Sequence, residues 1–456
     1  MNIRLLAISL AAYSSATAQQ PASAVELSRL ADSLARFAVE SKATPSIAIA
    51  VVRGTDTLAL GAWGTADIES PRAATAATIY RIGSVTKQFT AATVMQFVEQ
   101  GKVKLDDSIA AHVPDLPAAW RRVTIRQLLN HTSGIPSYTD LGPSWVARWG
   151  EDMTPSTIVS LTAKEAMWFA PGTSWQYDNT GYVVLGMLVE RIAGRPWADD
   201  IIERFAKPLG LRDTRVCDSR PTDTRAAHGY RRDGDRWRRY EYISMTQPYA
   251  AGALCSTLRD LAAWNRALNT GKVVSSQSYA QMTTPEGAAR ANGYGFGIGR
   301  GTIGTHTVIS HGGGIHGFAT TNQWIPDAEL SVTVFVNAGD GIGGRIAQRL
   351  TQVALGFAPA TTPARVPITT AELQRYAGVY SLALPTGARD FTFTVRDGEL
   401  VAQLAGQGAN KLFHVGNHAF GADFDRTLRI TFVVENGRAV KLVLEQGGQR
   451  FEAPRK

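Results

Sequence analysis

The sequence predicts an α+β fold: an antiparallel sheet flanked by helices, broken by a large helical insertion and followed by a small all-β, barrel-like domain. Three observations carry this reading. Two β-branched, alanine-rich runs, Ser46 to Val52 and Thr57 to Trp63, stand near the N-terminus, and four more strand-like runs lie between Tyr294 and Asn337. The stretch between them, from about Leu105 to Glu286, has mostly helical spacing interrupted by Pro- and Gly-containing loops. Beyond residue 370 only short alternating runs and turn dipeptides remain, a pattern of strands without helices.

Each element has its own signal. Ala24 to Ser41 sets Leu27, Leu30, Leu34 and Phe37 at helical spacing, which predicts the first helix. Arg53-Gly54-Thr55-Asp56 joins the first two strands into a hairpin. Ser84 to Gln100, ended by Gly101, is apolar on more than one face, so it predicts a helix inside the domain rather than on its surface. Tyr182 to Ile192 predicts another helix. The later strands read YGFGIG, THTVISHGGG, FATTNQWI and LSVTVFV, and Gly344 to Leu355 closes the domain with a helix. The main domain is thus expected over 24–355. A Pro/Thr/Ala-rich linker without periodicity follows over 356–370, and a β-domain over 371–456. In that last part Asp397-Gly398 and Asn436-Gly437 are hairpin signals between Phe391–Val395 and Leu400–Leu404, and between Leu428–Val434 and Val440–Leu444.

Composition narrows the function. With 456 residues, 44% hydrophobic and 19% charged, the chain is neither a disordered tail protein nor a polytopic membrane protein. The net charge of +8 does not point to nucleic acid. The densest basic stretch, Arg212 to Arg239, is interleaved with Asp213, Asp218, Asp223, Asp233 and Asp235, the pattern of a solvated, salt-bridged face. Residues 1–18 carry Arg4, an apolar run from Leu5 to Tyr13 and Ala16-Thr17-Ala18, which together read as a secretory signal. The expected location is therefore periplasmic or secreted, with no transmembrane segment. In such a compartment the two cysteines, Cys217 and Cys255, are expected to form a disulfide.

Three short signals carry the chemistry. Ser84-Val85-Thr86-Lys87 is the only S-x-x-K in the chain and sits where a strand gives way to the buried helix. One helical turn brings Ser84 and Lys87 onto one face, and the first N–H groups of the helix favour negative charge near Ser84. A buried lysine is costly unless paired, and desolvation lowers its pKa enough to let it act on a serine. Tyr177-Asp178-Asn179 lies in a loop just before the Tyr182 helix, where catalytic groups are often carried. Ser310-His311-Gly312-Gly313-Gly314 reads as a glycine-rich bend between strands. HGGG also forms the oxyanion loop of α/β-hydrolase esterases, but no serine here has glycines at both −2 and +2, which excludes that fold. No H-E-x-x-H or C-x-x-C is present, so no metal or cofactor is expected.

In this order the three signals resemble the serine penicillin-recognising superfamily, in the branch of class C β-lactamases, DD-peptidases and related esterases. The resemblance covers roughly Ala24 to Leu355 and implies a β-lactamase/transpeptidase-like fold. Leu128 to Pro136 (LLNHTSGIP) and Ala251 to Thr257 (AGALCST) are similar to segments common in such proteins. It implies that Ser84 is acylated, that Lys87 holds or accepts its proton, that Tyr177 is general base or relay, and that Asn179 binds the substrate amide. The oxyanion hole would be the N–H groups of Ser84 and Gly314, with Gly313 in the same glycine run allowing close approach. Where lactamases and carboxypeptidases begin the third motif with lysine and threonine, this chain has His311 and Gly312. That departure points to esterases and D-residue aminopeptidases, with His311 facing the far end of a small-molecule or peptide substrate and gaining charge towards pH 6. The expected activity is hydrolysis of an ester or amide; β-lactamase or DD-carboxypeptidase activity is the alternative. A non-catalytic pocket protein is disfavoured because Ser84, Lys87 and Tyr177 all stand. The oligomeric state has no sequence signal.

Overall fold

The computed structural model describes residues 21–456 except 235, 340, 358–363, 385–386, 406–408, 423–424 and 447–448. The signal expected over 1–18 and part of the expected linker, 358–363, lie outside the described residues. The chain divides into two compact units, Met1–Phe357 and Ala358–Lys456.

The first unit is built on a seven-stranded antiparallel sheet. Its strands are β1 (Ser46–Arg53), β2 (Asp56–Asp67), β3 (Arg72–Ala73), β4 (Gly299–Ile303), β5 (His306–Ile315), β6 (Phe318–Ile325) and β7 (Leu330–Val336), in the order β3-β2-β1-β7-β6-β5-β4. The central strands are buried on both faces, which is why β1 and β7 read as near-continuous apolar runs. Ile47, Ile49 and Val51 of β1 pack against helices α1 (Ala24–Glu40) and α5 (Ile342–Ala354) through Leu27, Ala31, Ile346 and Leu350. Ala48 and Ala50 face the other way, into a larger core with Phe335, Trp324 and the helical insertion.

At the centre of that larger core lies α2 (Thr86–Glu99), in which every residue from Thr86 to Met95 is buried. Its apolar members pack on all sides; Phe89 stacks on Trp264 with ring centroids 3.6 Å apart. Its polar members are paired instead: Gln88 Oε1 accepts the Trp264 indole N–H at 3.1 Å, and Thr90 Oγ1 donates to Ala250 O at 2.8 Å. Two further helices bear on the site, α3 (Thr180–Ala193) and α4 (Leu258–Asn269). The latter docks on the sheet through a buried amide pair, Asn265 and Asn322, which donate to each other at 2.7 and 2.6 Å.

Two local expectations need correction. The insertion also carries strands: Arg215–Val216 and Leu254–Ser256 form a small sheet with Tyr80–Arg81 from before it, and Tyr230–Asp233 pairs with Arg236–Arg239. The run YGFGIG is a loop up to Ile298, and β4 begins only at Gly299. There Gly295 packs so closely on Met282 that a Cβ would lie 2.0 Å from its carbonyl oxygen, a backbone contact that alternation of residue types cannot reveal. Among the described residues no helix is long and apolar enough to cross a membrane.

The second unit is an all-β meander of eight strands: β8 (Gly378–Leu384), β9 (Gly387–Arg396), β10 (Glu399–Leu404), β11 (Asn410–Gly416), β12 (Ala419–Ala422), β13 (Asp425–Glu435), β14 (Arg438–Gln446) and β15 (Gln449–Pro454). Each pairs antiparallel with the next, and Tyr380 bridges to Arg455 while the Lys456 N–H donates to Val379 O at 2.9 Å. The sheet thereby nearly closes into a barrel around Tyr380, Phe393, Phe420, Ile430, Phe432 and Leu442. The Asp397-Gly398 and Asn436-Gly437 turns both place two successive residues at positive φ, the geometry of a tight hairpin that suits these pairs.

Candidate active site

Ser84 sits on a 3₁₀ turn, Gly83–Val85, between the short strand Tyr80–Arg81 and α2. The backbone of β5 lies directly against this turn, and two glycines make the approach possible. Gly83 has φ +50°, and a Cβ there would stand 2.9 Å from the Gly314 nitrogen. A Cβ on Gly313 would stand 1.9 Å from the Ile82 carbonyl oxygen and 3.4 Å from the Ser84 nitrogen. Any side chain at either position would push the strand away from the serine.

Lys87, one turn further along α2, is fully buried. Its Nζ donates to Ser84 Oγ at 3.2 Å, to Asn179 Oδ1 at 2.8 Å and to Ala251 O at 2.8 Å, which uses all three ammonium protons. Burial lowers its pKa to about 7, against the opposing pull of the Asp178 carboxylate. Near neutral pH a large fraction of Lys87 is therefore an uncharged amine beside a hydroxyl. Tyr177 and Tyr182 cover it, with ring centroids 4.7 and 5.3 Å from Nζ.

The loop before α3 delivers the second motif. Asn179, whose side chain holds Lys87, is itself held by Ser137 Oγ on its backbone N–H at 3.0 Å and by Thr139 Oγ1 on its Nδ2 at 3.2 Å. The Tyr177 hydroxyl is buried without a hydrogen-bond partner of ordinary geometry. Burial pushes this phenol well above its usual range; the neighbouring Ser84 hydroxyl counteracts and Asp178 adds to the rise. Tyr177 is thus a neutral phenol, a group that relays or gives a proton rather than a standing phenolate base.

His311 on β5 is buried and fixed at both nitrogens. Nε2 lies 2.8 Å from the Tyr294 hydroxyl, and Nδ1 lies 2.5 Å from Gly312 O, which puts the ring proton on Nδ1. Burial, helped by the nearby Lys87 charge, lowers its pKa to about 3. The expected gain of charge towards pH 6 is therefore corrected: His311 stays neutral across that range.

Several residues at the site had no role assigned from sequence. His131, at φ +62°, lies with Nδ1 3.4 Å from Asp178 Oδ2, and both groups are buried. Its ring is 4.3 Å from the Tyr177 ring and 4.7 Å from the Tyr294 ring. These rings form an aromatic wall behind Lys87. The LNHTSG and AGALCST segments were noted for their resemblance alone. The one signal that could have led to Ala251 is the need of a buried Lys87 for acceptors. Asn179, expected from the resemblance to bind the substrate amide, here accepts from Lys87 through its Oδ1. Away from this wall, Cys217 and Cys255 are joined by a disulfide across 38 residues.

A family model described as Beta-lactamase matches residues 31–355. The chain belongs to the β-lactamase family. Penicillin-binding protein 4* of Bacillus subtilis (strain 168) is 27% identical over 439 residues, covering 89% of this chain and 94% of its own. A D-aminopeptidase of Brucella abortus (strain S19) is 28% identical over 320 residues, 69% of this chain and 60% of that enzyme. Among solved structures, a D-stereospecific amidohydrolase from Streptomyces sp. superposes with a TM-score of 0.61 at 29% identity, covering 70% of this chain and 97% of its own. Like these β-lactamase-family relatives, the chain is a serine hydrolase.

Proposed function

We propose that the protein is an exported hydrolase that cleaves an ester or amide through an acyl-enzyme on Ser84, as an esterase or an amidase of D-residues. The observation that carries this is Lys87 Nζ, fully buried, 3.2 Å from Ser84 Oγ and with a pKa of about 7. Neutral Lys87 accepts the Ser84 proton as Oγ attacks the substrate carbonyl. The N–H groups of Ser84 and Gly314 stabilise the oxyanion, each worth about 2.7–4 kcal/mol. The proton passes through the Tyr177 hydroxyl to the leaving group, water then attacks the acyl-enzyme by the same route, and Asn179 keeps Lys87 in line. The leaving group lies on the His311 side, because the Tyr177 and His311 rings stand 6.3 Å apart. A neutral His311 there asks for no carboxylate on the leaving group, which supports esters and D-residue amides, as does the likeness to a D-aminopeptidase and a D-stereospecific amidohydrolase.

A penicillin-recognising activity is the second reading, favoured by the likeness to penicillin-binding protein 4* over 89% of the chain. Export is supported by the pattern of residues 1–18 and by the disulfide. The test is a substrate panel of nitrophenyl esters, D- and L-amino-acid amides and β-lactams, with Ser84→Ala as background. Turnover of esters or D-amides above background is expected. Turnover of β-lactams alone would favour the second reading, and none at all would reject both.

A further inference from the structure

Next to the Ser84 turn is a cavity of about 470 Å³ that the steps above do not use. Arg81, Arg220, Tyr240, Tyr242, His316 and Phe318 line it. Two of these lie on the chain segments that build the site: Arg81 is three residues before Ser84, and His316 is two residues after Gly314. The cavity thus opens at the His316 end of the β5 backbone, whereas His311 and Tyr177 stand at the other end. A substrate carbonyl held between Ser84 and Gly314 has two substituents. The leaving group needs the Tyr177 proton and takes the His311 side, so the acyl chain runs towards the cavity.

The charge in this cavity is unbalanced. Arg81 Nη2 donates to two backbone carbonyls, Asp218 O at 3.3 Å and Ser219 O at 3.1 Å, and its guanidinium stands 5.9 Å from the Phe318 ring centroid. Burial lowers its pKa to about 10, so it remains a cation at neutral pH. Arg220 lies 5.0 Å from the Tyr242 ring centroid. Among the described residues no carboxylate is within ion-pairing distance of either arginine. The other charged side chains at the cavity are matched: Arg239 pairs with Glu69 at 2.9 Å and Asp67 at 3.2 Å, and Glu241 pairs with Arg231 at 2.6 Å. His316 is held neutral by burial, packed between Trp149 and Tyr240 with ring centroids 4.2 and 4.8 Å away. A poorly solvated guanidinium without a counter-ion, lining a cavity next to the Ser84 turn, is completed by an anion, and its planar donor fork fits a carboxylate.

We propose that this cavity is the acyl-side subsite and that it selects acyl groups ending in a carboxylate, held by Arg81 with Arg220 beside it. The proposal rests on the hydrolase reading above and names its substrate class. The test compares the 4-nitrophenyl monoester of adipic acid with its methyl-capped, uncharged analogue. The wild type is expected to prefer the carboxylate ester in kcat/KM by about 10-fold, as for one charge-assisted contact. That preference should fall to near one in Arg81→Gln and by severalfold in Arg220→Gln, an exposed position that tolerates change if Arg81→Gln fails to fold. No preference in an active wild type, or a preference kept in both variants, would overturn the proposal. A second arm does not need turnover: monomethyl adipate at millimolar concentration should raise the melting temperature of Ser84→Ala and not of Ser84→Ala with Arg220→Gln. If neither ester is cleaved, the substrate panel above decides the hydrolase reading separately, and absence of that shift removes the carboxylate subsite.

Discussion

Among the described residues of the C-terminal barrel, the buried polar atoms of the core are paired. The Tyr380 hydroxyl donates to Tyr376 O at 2.9 Å, the Tyr376 hydroxyl meets His418 Nδ1 at 2.8 Å, and the rest of the core is aromatic and aliphatic. The N-terminal unit differs. Among the described residues its interior holds buried side-chain polar atoms without a partner, and His131 Nε2, Trp175 Nε1 and the Tyr177 hydroxyl all belong to the aromatic wall around Lys87. Each such atom costs about 1–3 kcal/mol relative to a paired one. Natural interiors rarely keep such atoms without a use, and three of these six lie beside one buried lysine, where the proposed chemistry would use them.

The contrast can be broken at its strongest point first. Lys87→Met keeps the volume and removes the ammonium, so the protein should still fold while kcat/KM drops by about 10⁴-fold, read from ester hydrolysis and a melting curve. Loss of the fold with it would make Lys87 a structural residue. Tyr177→Phe removes only the unpaired hydroxyl. We expect kcat to fall by about 10²–10³-fold, with stability unchanged or raised by about 1 kcal/mol. A large loss of stability would mean that this hydroxyl has a structural partner.

A smaller effect follows from protonation. Lys87 must be neutral to accept the serine proton, and protons bind it as pH drops below about 7. The rate should therefore fall about tenfold per unit between pH 6 and 5 and level off above about 7. His311, with its pKa held near 3, adds nothing in this window, so His311→Gln should leave the position of the acid limb in place. A limb that moved with His311→Gln would shift the titrating role to that residue. The smallest effect on activity belongs to the barrel. Phe432 is buried among Tyr376, Phe393 and Phe420, and Phe432→Ala should cost about 3–5 kcal/mol of barrel stability, seen as a lowered unfolding transition. Ser84 acylation should change less than twofold; a larger change would show that barrel stability and acylation are coupled.

Much of this arrangement was legible because it is local. Ser84 and Lys87 are one helical turn apart, the turn dipeptides 397–398 and 436–437 specify their own φ angles, and the doubly buried strands β1 and β7 display their environment in their composition. What stayed hidden depends on contacts between distant positions. The Ala251 carbonyl that holds Lys87 is 164 residues away, and nothing near Ala251 marks it as an acceptor. Tyr294 was read as the start of a strand, whereas it caps His311 from a loop shaped by the contact of Gly295 with Met282. The charge state of His311 was misjudged for the same reason: an exposed histidine and one sealed between Tyr294 and Gly312 have the same letter. The strands β8, β11, β12 and β15 escaped notice because they are short or weakly alternating and gain their register only from neighbours in the barrel.

The central claim is that Ser84 is the atom that becomes acylated. Intact-protein mass spectrometry after treatment with a fluorophosphonate tests it most directly, followed by mapping of the modified peptide. One adduct per chain is predicted, on the peptide that contains Ser84, absent in Ser84→Ala and strongly slowed in Lys87→Met. An adduct that persists in Ser84→Ala, or maps to another serine, would contradict the account.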